Sequence, residues 1–446
     1  MLPSPGICCS VWSSARWCWR AKRKPPEAPL SETSPQTKEI ARRTARDPRL
    51  DFFRGIGMFI ILFAHIPGSE FVNWIPARFG FSDATEIFVF CSGVASSYAF
   101  GAIFVKMGWR IGATRIAFRV WQVYWGHVGV FVVIVAMLGF IDASRGSQYL
   151  RLGLNLAPFL DDPAHKLAGY LTLTYVPNFF DILPMYLVIL AMVPIMMAIA
   201  TRSLKAAAIA SVLLWFVANL RLLEPSAEPW SDRSWFFNPF AWQLVFFTGF
   251  AFGMRWLPAP PRDRRLVIAS IVAIVLAAPF SCHYGFRCYA AWGYAPWLAD
   301  VHEAILFALL DKSHLGILRY VHFLGVAYLA FLVAGEGGRA LRGWFVEAMM
   351  RVGRQTLAVF LSGLVLAQLL GVALDVIGDG IIMQIAVNVG GCLVLFLVAI
   401  TVDYFKNAGK RPGTPGSSRQ ASTEPLTTSQ TTALRASSPT ETASAV

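Results

Sequence analysis

Apolar runs of roughly membrane-spanning length recur along the chain from residue 52 to residue 402, separated by short polar connections. Inside lipid every backbone polar group needs an internal partner, which leaves helices or closed barrels. Runs of ~17–25 apolar residues exceed the ~9–11 that a barrel strand needs. The pattern therefore predicts an all-α integral membrane protein with about ten transmembrane helices. They fall at 52–67, 86–105, 116–140, 182–200, 206–223, 240–257, 266–281, 315–335, 356–374 and 381–402. The first is short and the seventh is interrupted. The segment 301–310, "VHEAILFALL", is too short to cross and reads as interfacial.

Composition agrees with that class. The chain of 446 residues is 56% hydrophobic and 15% charged, against about 45–50% and 25% in soluble domains. Basic residues then set the orientation. With the N-terminus in the cytoplasm, the cytoplasmic segments hold 29 Lys and Arg and the outer segments hold 9. The net charge of +13 thus reads as a topology signal and as contact with the anionic lipid bilayer, with no nucleic-acid partner. Three regions follow: a basic, disordered cytoplasmic tail at 1–48, a polytopic membrane domain at 49–403, and a Ser/Thr/Pro-rich disordered cytoplasmic tail at 404–446. The first tail lacks the continuous apolar stretch of a cleaved signal peptide.

The first span, "LDFFRGIGMFIILFAHIPG", carries both Arg54 and His65. A charged Arg near the centre of a bilayer helix costs roughly 2.5–3.5 kcal/mol and needs a partner or a purpose. Eleven residues at ~100° each return to within about 20° of the starting direction, so the two side chains share one helix face, ~16 Å apart.

The remaining polar chemistry gathers at the outer ends of the spans, in "FGFSDATEIFVFCSG", "NFFDILPMY", "SWFFNPFAWQ" and "DKSHLGILRYVHFLG". Trp235, Phe236 and Trp242 fit an interfacial aromatic belt. The alternative is a platform for sugar C–H groups, with Asn238 and Gln243 serving hydroxyls. Asp83 fits a helix N-cap. His65, Glu86, Arg319 and His322 all lie toward the outer half, and intramembrane ionisable groups point to function. A neutral imidazole is a general base toward a hydroxyl, a neighbouring carboxylate fixes its tautomer, and Arg54 suits a phosphate or carboxylate on an incoming donor. Together these suggest acyl transfer across the membrane to a hydroxylated acceptor.

Of seven cysteines, Cys282 and Cys288 in "CHYGFRC" stand apart, because an outer loop permits a disulfide. With His283 they make a poor zinc ligand set, so no metal is expected.

The "R-x10-H" spacing preceded by "LD" resembles the first-helix signature of the acyltransferase-3 superfamily of membrane O-acyltransferases. "RDPRLDFFRG", "FGFSDATEIFVFCSG", "LPMY", "WFFNPFAWQ" and "DKSHLGILRYVHFLG" more specifically resemble the OpgC family, over about residues 46–402. The resemblance implies an acyltransferase-3-like bundle in the bacterial inner membrane, with both termini cytoplasmic. It implies succinyl-CoA as the acyl-CoA donor, a periplasmic glucan as acceptor, and no bound cofactor. The catalytic residues are then His65 as base, Arg54 on the donor, and Glu86. The substrate-binding set is Asp83, Trp235, Asn238, Trp242, Gln243, Arg319 and His322. A transporter or flippase for a glucan or lipid-linked precursor is the competing class, although inverted repeats and paired broken helices are not visible. A non-catalytic partner in glucan export is a third.

Overall fold

The computed structural model describes residues 47–281 and 307–408. Among them the regular structure is helical, apart from an isolated bridge between Ser226 and Ser234. The main helices are α1 (Pro48–His65), α2 (Ala84–Met107), α3 (Trp109–Arg145), α4 (Pro163–Leu171), α5 (Ile182–Arg202) and α6 (Leu204–Asn219). They continue as α7 (Pro239–Gly253), α8 (Arg264–Ala277), α9 (Ile317–Ala334), α10 (Trp344–Arg354), α11 (Thr356–Ile377) and α12 (Ile381–Ala408). Each of the ten predicted runs holds a helix. Six of them are long and apolar enough to cross a membrane: α2, α3, α5, α9, α11 and α12.

The other four depart from the ten-span expectation. Helices α6, α7 and α8, with 16, 15 and 14 residues, rise only ~21–24 Å, short of a ~30 Å hydrocarbon core. Helix α1 has 18 residues but includes Arg49, Asp51 and Arg54. The chain is an all-α membrane protein with six full-length candidate spans among the described residues. Two further boundaries shift: α12 runs to Ala408, past the expected edge at 403, and of 301–310 only the helical stretch Phe307–Leu310 is described.

Local chemistry starts the helices that matter most. Asp47 accepts from Arg49 N at 3.0 Å and Pro48 takes the first helical position of α1, where a missing N–H is harmless. At α2, Asp83 Oδ1 accepts from Thr85 N at 2.6 Å while Glu86 Oε2 accepts from Asp83 N at 2.8 Å, a complete capping box.

Glycines let two helix pairs meet backbone to backbone. A Cβ on Gly93 of α2 would run into the Phe246 carbonyl of α7, and one on Gly249 of α7 into the Phe90 carbonyl of α2. Gly55 of α1 and Gly353 of α10 stand in the same reciprocal relation to the carbonyls of Met349 and Asp51. Small residues are what allow such approach between membrane helices, where dispersion contacts replace the hydrophobic drive. Trp242, Phe246, Phe250, Phe131 and Tyr170, all fully buried, fill the centre behind these crossings.

Candidate active site

His65 closes α1 and faces a cavity of about 300 Å³. Its Nδ1 lies 2.7 Å from the Ile61 carbonyl oxygen, one turn back. A carbonyl only accepts, so Nδ1 carries the proton and the neutral ring keeps its lone pair on Nε2. The carboxylate expected to fix this tautomer is not the group that does so; the helix's own backbone is. Phe179 meets the imidazole edge to face at 5.4 Å. The cavity is walled by Pro67, Leu154, Asn155, Asn178, Phe179 and Gln368 among others, and none of its lining side chains is an acid, lysine or arginine.

Toward Arg54, α1 presents Met58, Ile61 and Leu62 to a void of about 10 Å³ shared with Val359, Phe360, Gly363, Leu364 and Leu395. This is at the lower limit for one water. At its far side Arg54, half-buried, donates from Nη2 to Ser92 Oγ of α2 at 3.3 Å. The same end of the bundle carries Arg354, whose Nε lies 3.5 Å from buried Asp51. Arg49 is there too, over the Phe331 ring at 4.6 Å. Arg54 and His65 thus mark two ends of one helix joined by an apolar seam.

Glu86 belongs to a different constellation. Arg319 donates to its Oε1 from Nε at 2.9 Å and from Nη2 at 2.6 Å. Lys312 Nζ donates to Asp83 Oδ2 at 2.5 Å, and Arg319 Nη2 is 3.7 Å from that oxygen. Burial alone would push the Asp83 carboxyl up. The Lys312 ammonium and the Arg319 guanidinium outweigh it and hold the carboxyl well below the usual carboxylate range. Two acids and two bases therefore lock the start of α2 to the start of α9.

The aromatic and amide residues of α7 secure the chain that delivers Lys312. Trp242 Nε1 donates to the Lys312 carbonyl at 3.0 Å and Asn238 N to the Ser313 carbonyl at 3.0 Å. From α6, Asn219 Nδ2 donates to the His314 carbonyl at 2.9 Å and Trp215 Nε1 to that of Leu315 at 3.0 Å. These bonds fasten a segment in which Leu315 takes the left-handed φ of 50°, unusual for a bulky side chain. Asn238 also caps α7 through Phe240 N at 3.0 Å and donates to the Leu223 carbonyl at 2.6 Å. Gln243, fully buried, donates to the Ser211 carbonyl and accepts from Ser211 Oγ, both at 2.7 Å. Trp235 Nε1 donates to the Ser226 carbonyl at 3.0 Å. Every one of these polar groups is engaged within the protein, so the sugar-platform set does not come together as an open surface.

His322, buried on α9, has Nδ1 2.8 Å from Ser82 Oγ. Its ring fills the space beside Gly80, where a Cβ would overlap it. Cys282 and Cys288 lie outside the described residues, and within them Cys91 and Cys392 are free thiols. Asn178 and Phe179 open the stretch "NFFDILPMY" without being singled out in it, and sequence reasoning missed Asn155 and Gln368 of the cavity lining. Of the latter two, Gln368, a lone amide in the apolar run 356–374, left a signal that could have found it.

A protein-family model described as "OpgC protein" matches residues 46–407 of the chain. No curated protein and no protein of solved structure matches it.

Proposed function

Since the chain belongs to the OpgC protein family, we propose that it is a membrane O-acyltransferase that moves an acyl group, succinyl, from cytoplasmic acyl-CoA to a hydroxyl of a periplasmic glucan. The observation that carries this reading is the unprotonated Nε2 of His65, set by the Nδ1–Ile61 bond and placed beside a cavity without formal charge. A neutral polyhydroxylated ligand suits such a cavity, in which carboxamides serve hydroxyls and the Phe179 face meets C–H groups.

The acceptor enters from the cavity side and the donor from the Arg54 end, which the basic-residue balance assigns to the cytoplasm. Arg54 and the neighbouring Arg354 offer forked donors to the phosphates or terminal carboxylate of the donor. The acyl-bearing arm follows the apolar seam between Met58 and Leu364, which opens from its single-water width to admit it. At its end the acceptor hydroxyl passes its proton to His65 Nε2 as its oxygen bonds to the thioester carbonyl carbon. The C–S bond breaks, and the departing thiolate takes the proton from the imidazolium, which restores the base. The Asp83–Glu86–Lys312–Arg319 quartet does not touch the reacting atoms. It holds α2 and α9 around the end of α1.

Mass analysis of periplasmic glucans from a strain lacking the gene, and from its complement, tests the donor and acceptor together. Loss of a succinyl mass increment and its return on complementation is the expected result. An unchanged glucan mass distribution would contradict it.

A further inference from the structure

Gln368 sits just past the middle of α11, in a largely apolar run, and lines the same cavity as His65. Its side chain is only 6% exposed. Unlike Gln243, Gln355 and Gln384, whose amides all bond to protein atoms, it makes no hydrogen bond among the described residues. Its amide is instead open to whatever fills the cavity, where a leucine would offer no hydrogen bond. The cavity holds Asn155 and Asn178 as well. Asn178 already accepts from Arg233 at 2.9 Å, and Asn155 is exposed at the rim on a left-handed φ of 53°. Gln368 is thus the amide that faces the cavity from within the bundle.

We propose that Gln368 binds the acceptor and positions the hydroxyl that reacts at His65. Its carbonyl oxygen accepts from one hydroxyl of a sugar ring and its NH2 donates to the adjacent one, which aims the reacting oxygen at Nε2. This inference rests on the acyl-transfer reading above. It adds a residue that fixes which hydroxyl is presented, as a site built to bond a hydroxyl discriminates strongly against ligands that lack it.

The test uses the full-length protein in detergent or nanodiscs with succinyl-CoA and a β-linked gluco-oligosaccharide as probes, comparing wild type, Gln368→Leu and Gln368→Asn. Gln368→Leu should raise the acceptor KM about tenfold, the effect of losing one or two neutral hydrogen bonds, with the donor KM unchanged. Its melting temperature should match wild type, because the amide bonds to no protein atom among the described residues. The oligosaccharide should raise the melting temperature of wild type and not that of Gln368→Leu. Gln368→Asn, with the amide on a shorter stem, should fall between. A wild-type acceptor KM in Gln368→Leu overturns the proposal. So does a lower melting temperature with both KM values disturbed, since that marks a structural role. If wild type neither acylates the oligosaccharide nor is stabilised by it, the acyl-transfer reading itself fails, and the two failures are told apart by the wild-type arm alone.

Discussion

Arg319 reaches from the first turn of α9 to place two donors on one oxygen of Glu86, at 2.9 and 2.6 Å, while the other oxygen of Glu86 closes the capping box of α2. Glu86 is completely buried, so both its oxygens are engaged in holding two spans together. A residue that reads as a candidate catalytic acid is thereby bonded into the junction of two helices.

Truncating either partner should therefore injure folding before chemistry. Glu86→Ala or Arg319→Ala removes one side of a buried ion pair, at a cost of up to about 3–5 kcal/mol, and should lower melting temperature and yield in detergent. The double variant should recover part of the loss. A Glu86→Ala protein that melts like wild type yet has lost its turnover would show that Glu86 serves the reaction directly.

Asp83 gives the same assembly a pH signature. Its folded carboxyl titrates well below the ordinary value because of Lys312 and Arg319. Its stabilising contribution is therefore fully present above an unfolded pKa of about 3.9 and is lost as pH falls below it. Asp83→Asn should melt lower than wild type at pH 7, and the gap should narrow as the pH is taken toward 3. A gap that stays constant down to pH 3 would mean the Asp83 charge does not support the fold.

The α2–α7 crossing should tolerate nothing larger than glycine. Gly93→Val or Gly249→Val drives a side chain into a facing carbonyl and should abolish assembly of the folded protein, read by size-exclusion profile. Gly129→Ala on α3, where a Cβ meets nothing within 4 Å, should be neutral or stabilising by up to ~1 kcal/mol from helix propensity. Normal profiles for both valine variants would remove the close approach as a feature of the fold.

Much of this was legible in the chain. Each of the ten long apolar runs holds a helix, the first with both Arg54 and His65, while α4 and α10 lie outside the runs and six helices are long and apolar enough to cross a membrane. The capping role of Asp83 was visible from its position before an apolar run. Span length was less legible, because apolar residues in connections extend a run beyond its helix, as at Leu220–Leu223 after α6. The site was harder still. Trp242, Asn238 and Gln243 look the same in sequence whether they face a sugar or clamp residues 312–315, since their partners are backbone carbonyls far along the chain. Asn155, Asn178 and Phe179 come from connections whose folding brings them over His65, and no periodicity records that.

The central claim is that His65 Nε2 takes the proton of the acceptor hydroxyl, and His65→Gln tests it most directly because glutamine keeps one donor and one acceptor without a basic nitrogen. The measurement is the acyl content of periplasmic glucan, by mass spectrometry, in a strain whose only copy of the gene carries His65→Gln and whose membranes hold the protein at wild-type level. The account predicts glucan in normal amount without the acyl mass increment. It also predicts wild-type activity that is lost once the pH is low enough to protonate the imidazole, since only the neutral ring accepts a proton. Near-normal acylation of glucan by properly inserted His65→Gln protein would contradict the account and return the transporter reading to first place.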